Sequence, residues 1–340
     1  MSAGRPHILV LGAGSVGRRH AKNFHSLGCR VSCMDPRPDR LDQAGMEVPL
    51  AHRFADLSEA LKKEDEFAGV AVCSPPKFHV EQSLAALDRK LPVLLEKPAS
   101  VDAPSCRALE ARVSQESRLL LGYTYRWWPP LQRLKQLLDE SAVGTLRHAR
   151  FVMSAHLADW HPWERYQDFF MASRGLGGGA LLDESHFIDL MLWYFGMPER
   201  VYARIERLSD LEIDTDDAVD IVAVYPNRFR VTIHLDVFGR PHDKQISVTG
   251  EKGTIQCLFS PDVVRMGRTS EPQWETEEFS VERNDMFLGV AREFLDVIEG
   301  RRVASTCTIT DGRRTLQVVD ACRESHRQGA EVSLREPANA

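Results

Sequence analysis

The sequence contains no C-x-x-C pair. Its seven cysteines are scattered and odd in number, which speaks against a disulfide framework and for reduced thiols in a cytoplasmic protein. Cys29 and Cys33 flank a predicted strand and read as core packing. No apolar run approaches the roughly 18 residues that span a bilayer, and Met1–Pro6 lacks the charged-then-apolar pattern of a signal peptide. The expectation is a soluble, cytoplasmic chain with no membrane partner. Positive charge is also short, with 43 Lys and Arg against 49 Asp and Glu and a formal net charge of −6. Phosphate-backbone binding needs clustered basic residues, so a nucleic-acid partner is not expected. The local cluster Arg18-Arg19-His20 reads as a solvated helix face. There is no internal repeat and no low-complexity segment.

What is present suits a globular protein. At 340 residues, 43% apolar and 27% charged, the chain fits about two domains of roughly 100–200 residues each. In the first third, short apolar runs alternate with helical stretches. Strands are predicted at His7–Leu11, Arg30–Met34, Gly69–Cys73, Pro92–Leu95 and Leu119–Tyr123. Helices are predicted at Ser15–Leu27, Leu57–Lys63, Phe78–Leu87 and Pro104–Glu116. Nearly continuous apolar strands between helices predict a doubly wound parallel sheet, an α/β fold. After Tyr123 the pattern changes. A helix near Pro130–Glu140 precedes a strand, Leu146–Ser154, an aromatic loop, and an apolar helix over Ala180–Phe195. In Phe229–Phe238, Val231, Ile233, Leu235 and Val237 alternate with Arg230, Thr232, His234 and Asp236, the period of a half-buried strand in an antiparallel or mixed sheet. Tyr225–Phe229 and Gly250–Gly253 carry hairpin-turn chemistry, and helices near Met286–Glu299 and Asp311–Gln328 close the chain. The boundary is placed at Gly122, giving domains 1–122 and 123–340.

Gly12-Ala13-Gly14-Ser15-Val16-Gly17 is a G-x-G-x-x-G run that follows a predicted strand and opens a predicted helix, the context that gives this short motif meaning. The first glycine makes the tight turn, the second admits the pyrophosphate, and the third lets helix and strand pack closely. The N–H groups of the helix N-terminus then face the phosphates. Asp35 lies at the end of the second strand, where a carboxylate accepts hydrogen bonds from the adenosine ribose and repels a 2′-phosphate. That favours NAD, although Arg37 is placed to recruit the phosphate of NADP. The N-terminal domain is therefore expected to be an NAD(P)-binding Rossmann fold.

Further motifs give the chain a family likeness. Ser74-Pro75-Pro76-Lys77-Phe78-His79, Glu96-Lys97-Pro98, Gly122-Tyr123-Thr124-Tyr125-Arg126 and Gly177-Gly178-Gly179 stand in the order found in the glucose–fructose oxidoreductase, inositol dehydrogenase and MocA family. The sequence resembles that family over nearly its whole length. The resemblance implies a C-terminal α+β domain on a large open mixed or antiparallel sheet. It also implies hydride transfer between a nicotinamide and a carbinol carbon of a sugar, polyol or nucleotide-sugar, and a homodimer or homotetramer formed through the open sheet faces. Ser74, Pro75, His79, Glu96, Lys97 and Arg126 then join the cofactor set. Two departures stand out. Thr124 replaces the family's usual Asn, and Asp183-Glu184-Ser185-His186 brings Asp and His closer than usual. A subgroup with D-x-S-H and a preceding D-W-H-P-W matches both this spacing and Asp159–Trp163.

The chemistry requires a base, because a free alcohol is a very weak acid at neutral pH. Lys97 follows a parallel strand, where ligand crevices of such sheets lie, and burial beside a cationic nicotinamide favours its neutral amine. His186, backed by Asp183, is the second candidate, and Asp183, His186 and Asp189 recur at three-residue spacing on one side of a helix. Lys97 is preferred as acid/base, with His186 and Asp183 orienting the substrate or relaying a proton. Trp160, His161 and Trp163, with Trp127 and Trp128, can form a platform for a sugar ring. Tyr123 completes the substrate candidates, and Arg126 can bind an acidic substrate group. No metal is expected, since hydride transfer to nicotinamide needs none. The alternative is a non-catalytic NAD-binding sensor on the same fold.

Overall fold

The computed structural model describes residues 5–113, 118–160, 165–268, 273–301 and 305–334. The chain forms two compact units, Met1–Trp127 with Arg283–Arg313, and Trp128–Glu282 with Arg314–Ala340.

The first unit runs β1 (His7–Leu11), α1 (Ser15–Ser26), β2 (Arg30–Met34), α2 (Pro38–Glu47), β3 (Leu50–Phe54), α3 (Leu57–Leu61), β4 (Gly69–Val72), α4 (His79–Leu87), β5 (Val93–Glu96), α5 (Ala103–Glu110) and β6 (Leu119–Gly122). The six strands are all parallel, in the order β3-β2-β1-β4-β5-β6. This is the Rossmann order, in which the sequence of strands reverses between β1 and β4 and opens a crevice at their carboxyl ends. Strands β1, β4, β5 and β6 are buried at every position, which is why their sequences, apart from the terminal His7 and Glu96, are apolar runs rather than alternating ones.

Helix α1 buries Gly17, His20, Ala21 and Phe24, a 3–4-residue spacing that puts one stripe on the sheet. The predicted solvated face at Arg18–His20 is therefore corrected. His20 is fully buried, and the Arg19 guanidinium lies 4.7 Å from the Phe287 ring centre. Cys29 and Cys33 are buried core residues.

The second unit opens with α6 (Pro129–Asp139) and β7 (Leu146–Ser154), then α7 (Ala180–Asp183) and α8 (His186–Phe195). Strands β8 (Arg200–Glu206), β9 (Ala218–Val224), β10 (Arg230–Asp236), β11 (Asp243–Gly250), β12 (Gly253–Phe259), β13 (Asp262–Gly267) and β14 (Glu275–Glu278) follow. With β15 (Val332–Ser333) they make a nine-stranded sheet ordered β14-β13-β12-β11-β7-β10-β9-β8-β15. Every pairing is antiparallel except β7 with β10, so the sheet is mixed. Val231, Ile233 and Leu235 of β10 are buried while Arg230, Thr232 and His234 keep exposure. One face thus carries the core and the other a polar surface that includes Asp220, His148 and Arg150.

Two helices, α9 (Arg283–Ile298) and α10 (Ile309–Gln328), close the chain. Residues 283–313 fall with the first unit, although the sequence boundary at Gly122 assigns them to the second domain. The reason is packing. Val290, Ala291 and Phe294 of α9 share a core with Ala21 and Phe24 of α1, and the Phe24 and Phe294 rings meet edge-on at 6.0 Å. Such a pair contributes about 0.5–1.5 kcal/mol beyond area burial, and no local sequence pattern reports it. Among the described residues, no helix is long and apolar enough to cross a membrane.

Candidate active site

The three motif glycines are required for different reasons. Gly12 has φ +90°, and a Cβ there would stand 2.8 Å from the Ser74 nitrogen and 2.9 Å from the Cys73 carbonyl. A Cβ on Gly17 would stand 1.8 Å from the Gly12 oxygen. Both positions are fixed by the protein's own packing. Gly14 is different. Its φ of −69° and ψ of −171° suit any residue, and the nearest heavy atom to a Cβ there is Arg40 Nη1 at 3.9 Å. Among the described residues nothing demands glycine at position 14, which leaves open space beside the backbone there. Helix α1 carries no side-chain cap, and its first-turn N–H groups at Ser15, Val16 and Gly17 have no intrahelical acceptor. The cradle fits a dinucleotide pyrophosphate.

Asp35, just past β2, is buried. Its two oxygens accept N–H groups from Ala13 at 2.8 Å and Arg37 at 2.9 Å, which fixes the carboxylate beside the glycine turn. The Arg37 guanidinium turns away and pairs with Asp39, at 3.1 and 2.6 Å. Arg40, absent from the sequence candidates, places Nη1 3.8 Å from Asp35 Oδ2.

The turns after β4 and β5 are tied together. Ser74 Oγ donates to Gln82 Oε1 at 2.7 Å, and Pro75 leads into a single 3₁₀ turn before α4. The His79 ring reaches the Ser74 carbonyl through Nε2 and the Pro98 carbonyl through Nδ1, each at 2.7 Å. Burial pulls the pKa of this ring down while both carbonyls pull it up. Glu96 accepts from His20 Nε2 at 2.6 Å and, through its other oxygen, from the Lys97 backbone N–H at 3.3 Å. His20 was not among the sequence candidates. Its spacing from Gly17 on the buried stripe of α1 was the available signal. Lys97 is half-buried at the carboxyl end of β5.

Two expected substrate residues are enclosed instead. Tyr123 is fully buried. Arg126 is also buried, donating from Nη1 to the Thr306 carbonyl at 3.0 Å with Asp311 at 3.5 Å. Its cation thus faces a carboxylate of the first unit. Trp127 is anchored as well, donating to Glu293 at 3.0 Å.

In the second unit the predicted helix Ala180–Phe195 is broken. Helix α7 ends at Asp183 and α8 begins at His186, with Glu184 and Ser185 between them. Asp183, His186 and Asp189 are therefore not three positions on one continuous helical face. Asp183, Ser185 and Asp189 are buried and His186 is half-buried. The start of α7 is set by Asp216, whose Oδ2 accepts the Leu181 N–H at 2.8 Å and whose carbonyl accepts the Ala180 N–H at 3.0 Å. Gly179 has φ +112°, and a Cβ there would lie 2.4 Å from Asp216 Oδ1. Burial raises the pKa of Asp216. In the aromatic loop, Trp160 donates to the Ala155 carbonyl at 3.2 Å. Asp159 accepts two bonds from Arg240, at 2.8 and 2.7 Å. His161 and Trp163 lie outside the described residues. Asp216 and Arg240 were not sequence candidates, because both act across folds of the chain rather than within a motif.

Two family models match this chain: an oxidoreductase family with an NAD-binding Rossmann fold, over residues 7–123, and the GFO/IDH/MocA C-terminal domain, over residues 131–256. The chain belongs to the GFO/IDH/MocA family. It is an NAD-dependent oxidoreductase of that family. It is 24% identical to an inositol 2-dehydrogenase of Pseudomonas fluorescens over 96% of both chains. It is 30% identical to the rhizopine catabolism protein MocA of Rhizobium meliloti, over 55% of this chain and 56% of that one. Among solved structures, a levoglucosan dehydrogenase in complex with NADH and levoglucosan shares the fold, with TM-score 0.84 and 16% identity over 98% of this chain and 100% of that one. The WlbA dehydrogenase of Bordetella pertussis, in complex with NADH and UDP-GlcNAcA, does so with TM-score 0.80 and 18% identity over 98% and 100%.

Proposed function

We propose that this GFO/IDH/MocA protein transfers a hydride between NAD and a carbinol carbon of a sugar, polyol or nucleotide-sugar. The observation that carries the reading is the Gly14 cradle, open where neither backbone angle nor packing requires glycine, with Asp35 fixed beside it. The relatives whose names specify inositol, levoglucosan or a UDP-sugar support the substrate class. A bound nicotinamide supplies the hydride acceptor or donor. The α1 N-terminus and Gly14 hold the pyrophosphate, and Asp35 accepts from the adenosine ribose. Lys97 takes or returns the hydroxyl proton, its backbone steadied through Glu96 and Pro98. His186 and Asp183 orient the substrate hydroxyl. Self-association through the polar open face of the nine-stranded sheet, as a homodimer or homotetramer, belongs to the same reading.

The test is a panel of polyols, sugars and nucleotide-sugars with NAD⁺, following NADH formation, in the native chain and in Lys97→Met. Turnover of one panel member is expected, with the variant keeping NADH binding and losing about 10²–10⁴-fold in rate. Near-native turnover in the variant removes Lys97 from its role. NADH binding without turnover of any panel member favours an NAD-binding sensor instead.

A further inference from the structure

The buried carboxylate of Glu96, the last residue of β5, is fixed from three sides. His20 of α1 meets Oε1 through Nε2 at 2.6 Å, and the Lys97 backbone N–H donates to Oε2 at 3.3 Å. Gly122 of β6 lies against the third side. A Cβ there would stand 3.2 Å from Oε1 and 3.3 Å from Cδ, so this glycine makes the room that the carboxylate occupies. His20 is fully buried, with the Phe24 ring centre 6.1 Å away and the Phe287 ring edge-on at 5.7 Å. Its Nδ1 is buried too and, among the described residues, has no hydrogen-bond partner.

These contacts select one form of the ring. A protonated imidazole carries two N–H donors, and the one on Nδ1 would be stranded in a buried pocket with phenylalanine rings beside it, an unmet donor. The neutral Nδ1–H tautomer strands the same donor and turns the Nε2 lone pair on the carboxylate. A neutral His20 with its proton on Nε2 strands no donor and gives an ionised Glu96 its hydrogen bond. We propose that His20 is a positioning residue for Lys97. Its neutral ring holds Glu96 so that the second carboxylate oxygen keeps the Lys97 backbone in place. Lys97 is then held on both sides, since His79 Nδ1 lies 2.7 Å from the carbonyl of the next residue, Pro98. His20 touches neither substrate nor cofactor in this account and acts only through Glu96.

The inference rests on the proposed role of Lys97, but its test needs neither cofactor nor substrate. Nitrogen NMR of the native full chain with isotope-labelled histidine reads the ring directly, the His20 signals being those lost in His20→Gln. They are expected to show a neutral ring protonated on Nε2. The second measurement is Lys97 labelling by trinitrobenzenesulfonate, read by peptide mass spectrometry against the exposed Lys62. His20→Leu fills the space without a donor and is expected to raise Lys97 labelling by about threefold or more, because an unanchored turn opens more often. His20→Gln returns an N–H and should stay within about twofold of native. A role in packing alone predicts the reverse order, with the apolar Leu tolerated better than Gln. Urea unfolding checks that each variant is folded, and if His20→Leu is not, the native spectrum decides. An imidazolium or an Nδ1–H ring in the native chain overturns the proposal. So does native labelling in His20→Leu, or a Gln variant as reactive as the Leu one. Near-native turnover in Lys97→Met is a separate failure, of the proposed function, and leaves these measurements readable.

Discussion

His79 stands between Ser74 and Pro98, its two ring nitrogens each 2.7 Å from one of their carbonyl oxygens. The first carbonyl belongs to the turn after β4 and the second directly follows Lys97, so one buried ring holds both turns that border the cofactor crevice. Carbonyls only accept and a neutral ring has one N–H to give, so removing the ring costs at least one of the two contacts, about 1–3 kcal/mol. His79→Leu is expected to lose about 1–3 kcal/mol of stability in urea unfolding and to weaken NADH binding in the fraction that stays folded. A variant with native stability and native NADH affinity would show that the two turns hold their positions without the ring.

His7 makes stability depend on acid. Burial, aided by the charge of Arg30, lowers its pKa to about 4, against about 6.5 in an unfolded chain. Its ring contacts Ser32 Oγ at 2.9 Å. The fold prefers the neutral ring, so the contribution is complete above about pH 6.5 and is lost as pH falls towards 4. Between about pH 7.5 and about pH 5 this one group should cost roughly 2 kcal/mol. Urea midpoints at the two pH values, compared with those of His7→Asn, check it. The variant should lose less stability over the same interval.

Much of this architecture is legible in sequence where the physics is local. β1, β2 and β7 fall where their apolar runs or alternation predict them, and Gly12 to Gly17 announce the cradle through their spacing. β3 and β14 are not predicted. Ala51 and Arg53 of β3 are exposed, and β14 is an exposed acidic edge, so neither carries an apolar signature. The break between α7 and α8 is also hidden, because Glu184 and Ser185 interrupt an apolar pattern without a proline or glycine. Contacts between distant residues are the least visible. His20 and Glu96 meet across 76 residues, and the docking of α9 against α1 depends on a tertiary core. The arginines at the adenosine end are hidden for the same reason, since only geometry shows that Asp39 holds Arg37 while Arg40 faces Asp35.

On the open sheet face, His234 lies between Asp236 and Asp220, at 3.1 and 2.7 Å. The hydrogen bond to Asp236 and the one to Asp220 outweigh partial burial and raise its pKa to about 9. This is the opposite sign from His7. The stabilisation is complete below about pH 6.5 and is lost as pH rises through 9. The side chain is 39% exposed, so solvent screening holds the effect below about 1 kcal/mol. An NMR titration of the ring should place its midpoint well above that of a free histidine, and Asp236→Asn should bring it down. An unperturbed midpoint in the native chain would mean that the two carboxylates do not engage the ring in solution.

The glycine motif allows cofactor binding and folding to be separated by two single-methyl substitutions. Gly17→Ala drives a Cβ to 1.8 Å from the Gly12 oxygen, a clash with backbone that cannot be relieved by a side-chain rotation. It should destabilise the first unit by more than about 3 kcal/mol, through displacement of α1 from β1. Gly14→Ala meets only Arg40 Nη1 at 3.9 Å and has an ordinary backbone angle, so stability should stay within about 0.5 kcal/mol or rise slightly. The added methyl instead occupies the path of the pyrophosphate, and NADH affinity should fall by about tenfold or more. Urea unfolding and NADH titration of both variants resolve the two effects. Native NADH affinity in Gly14→Ala would mean that the space beside residue 14 is not where the dinucleotide comes closest to the backbone.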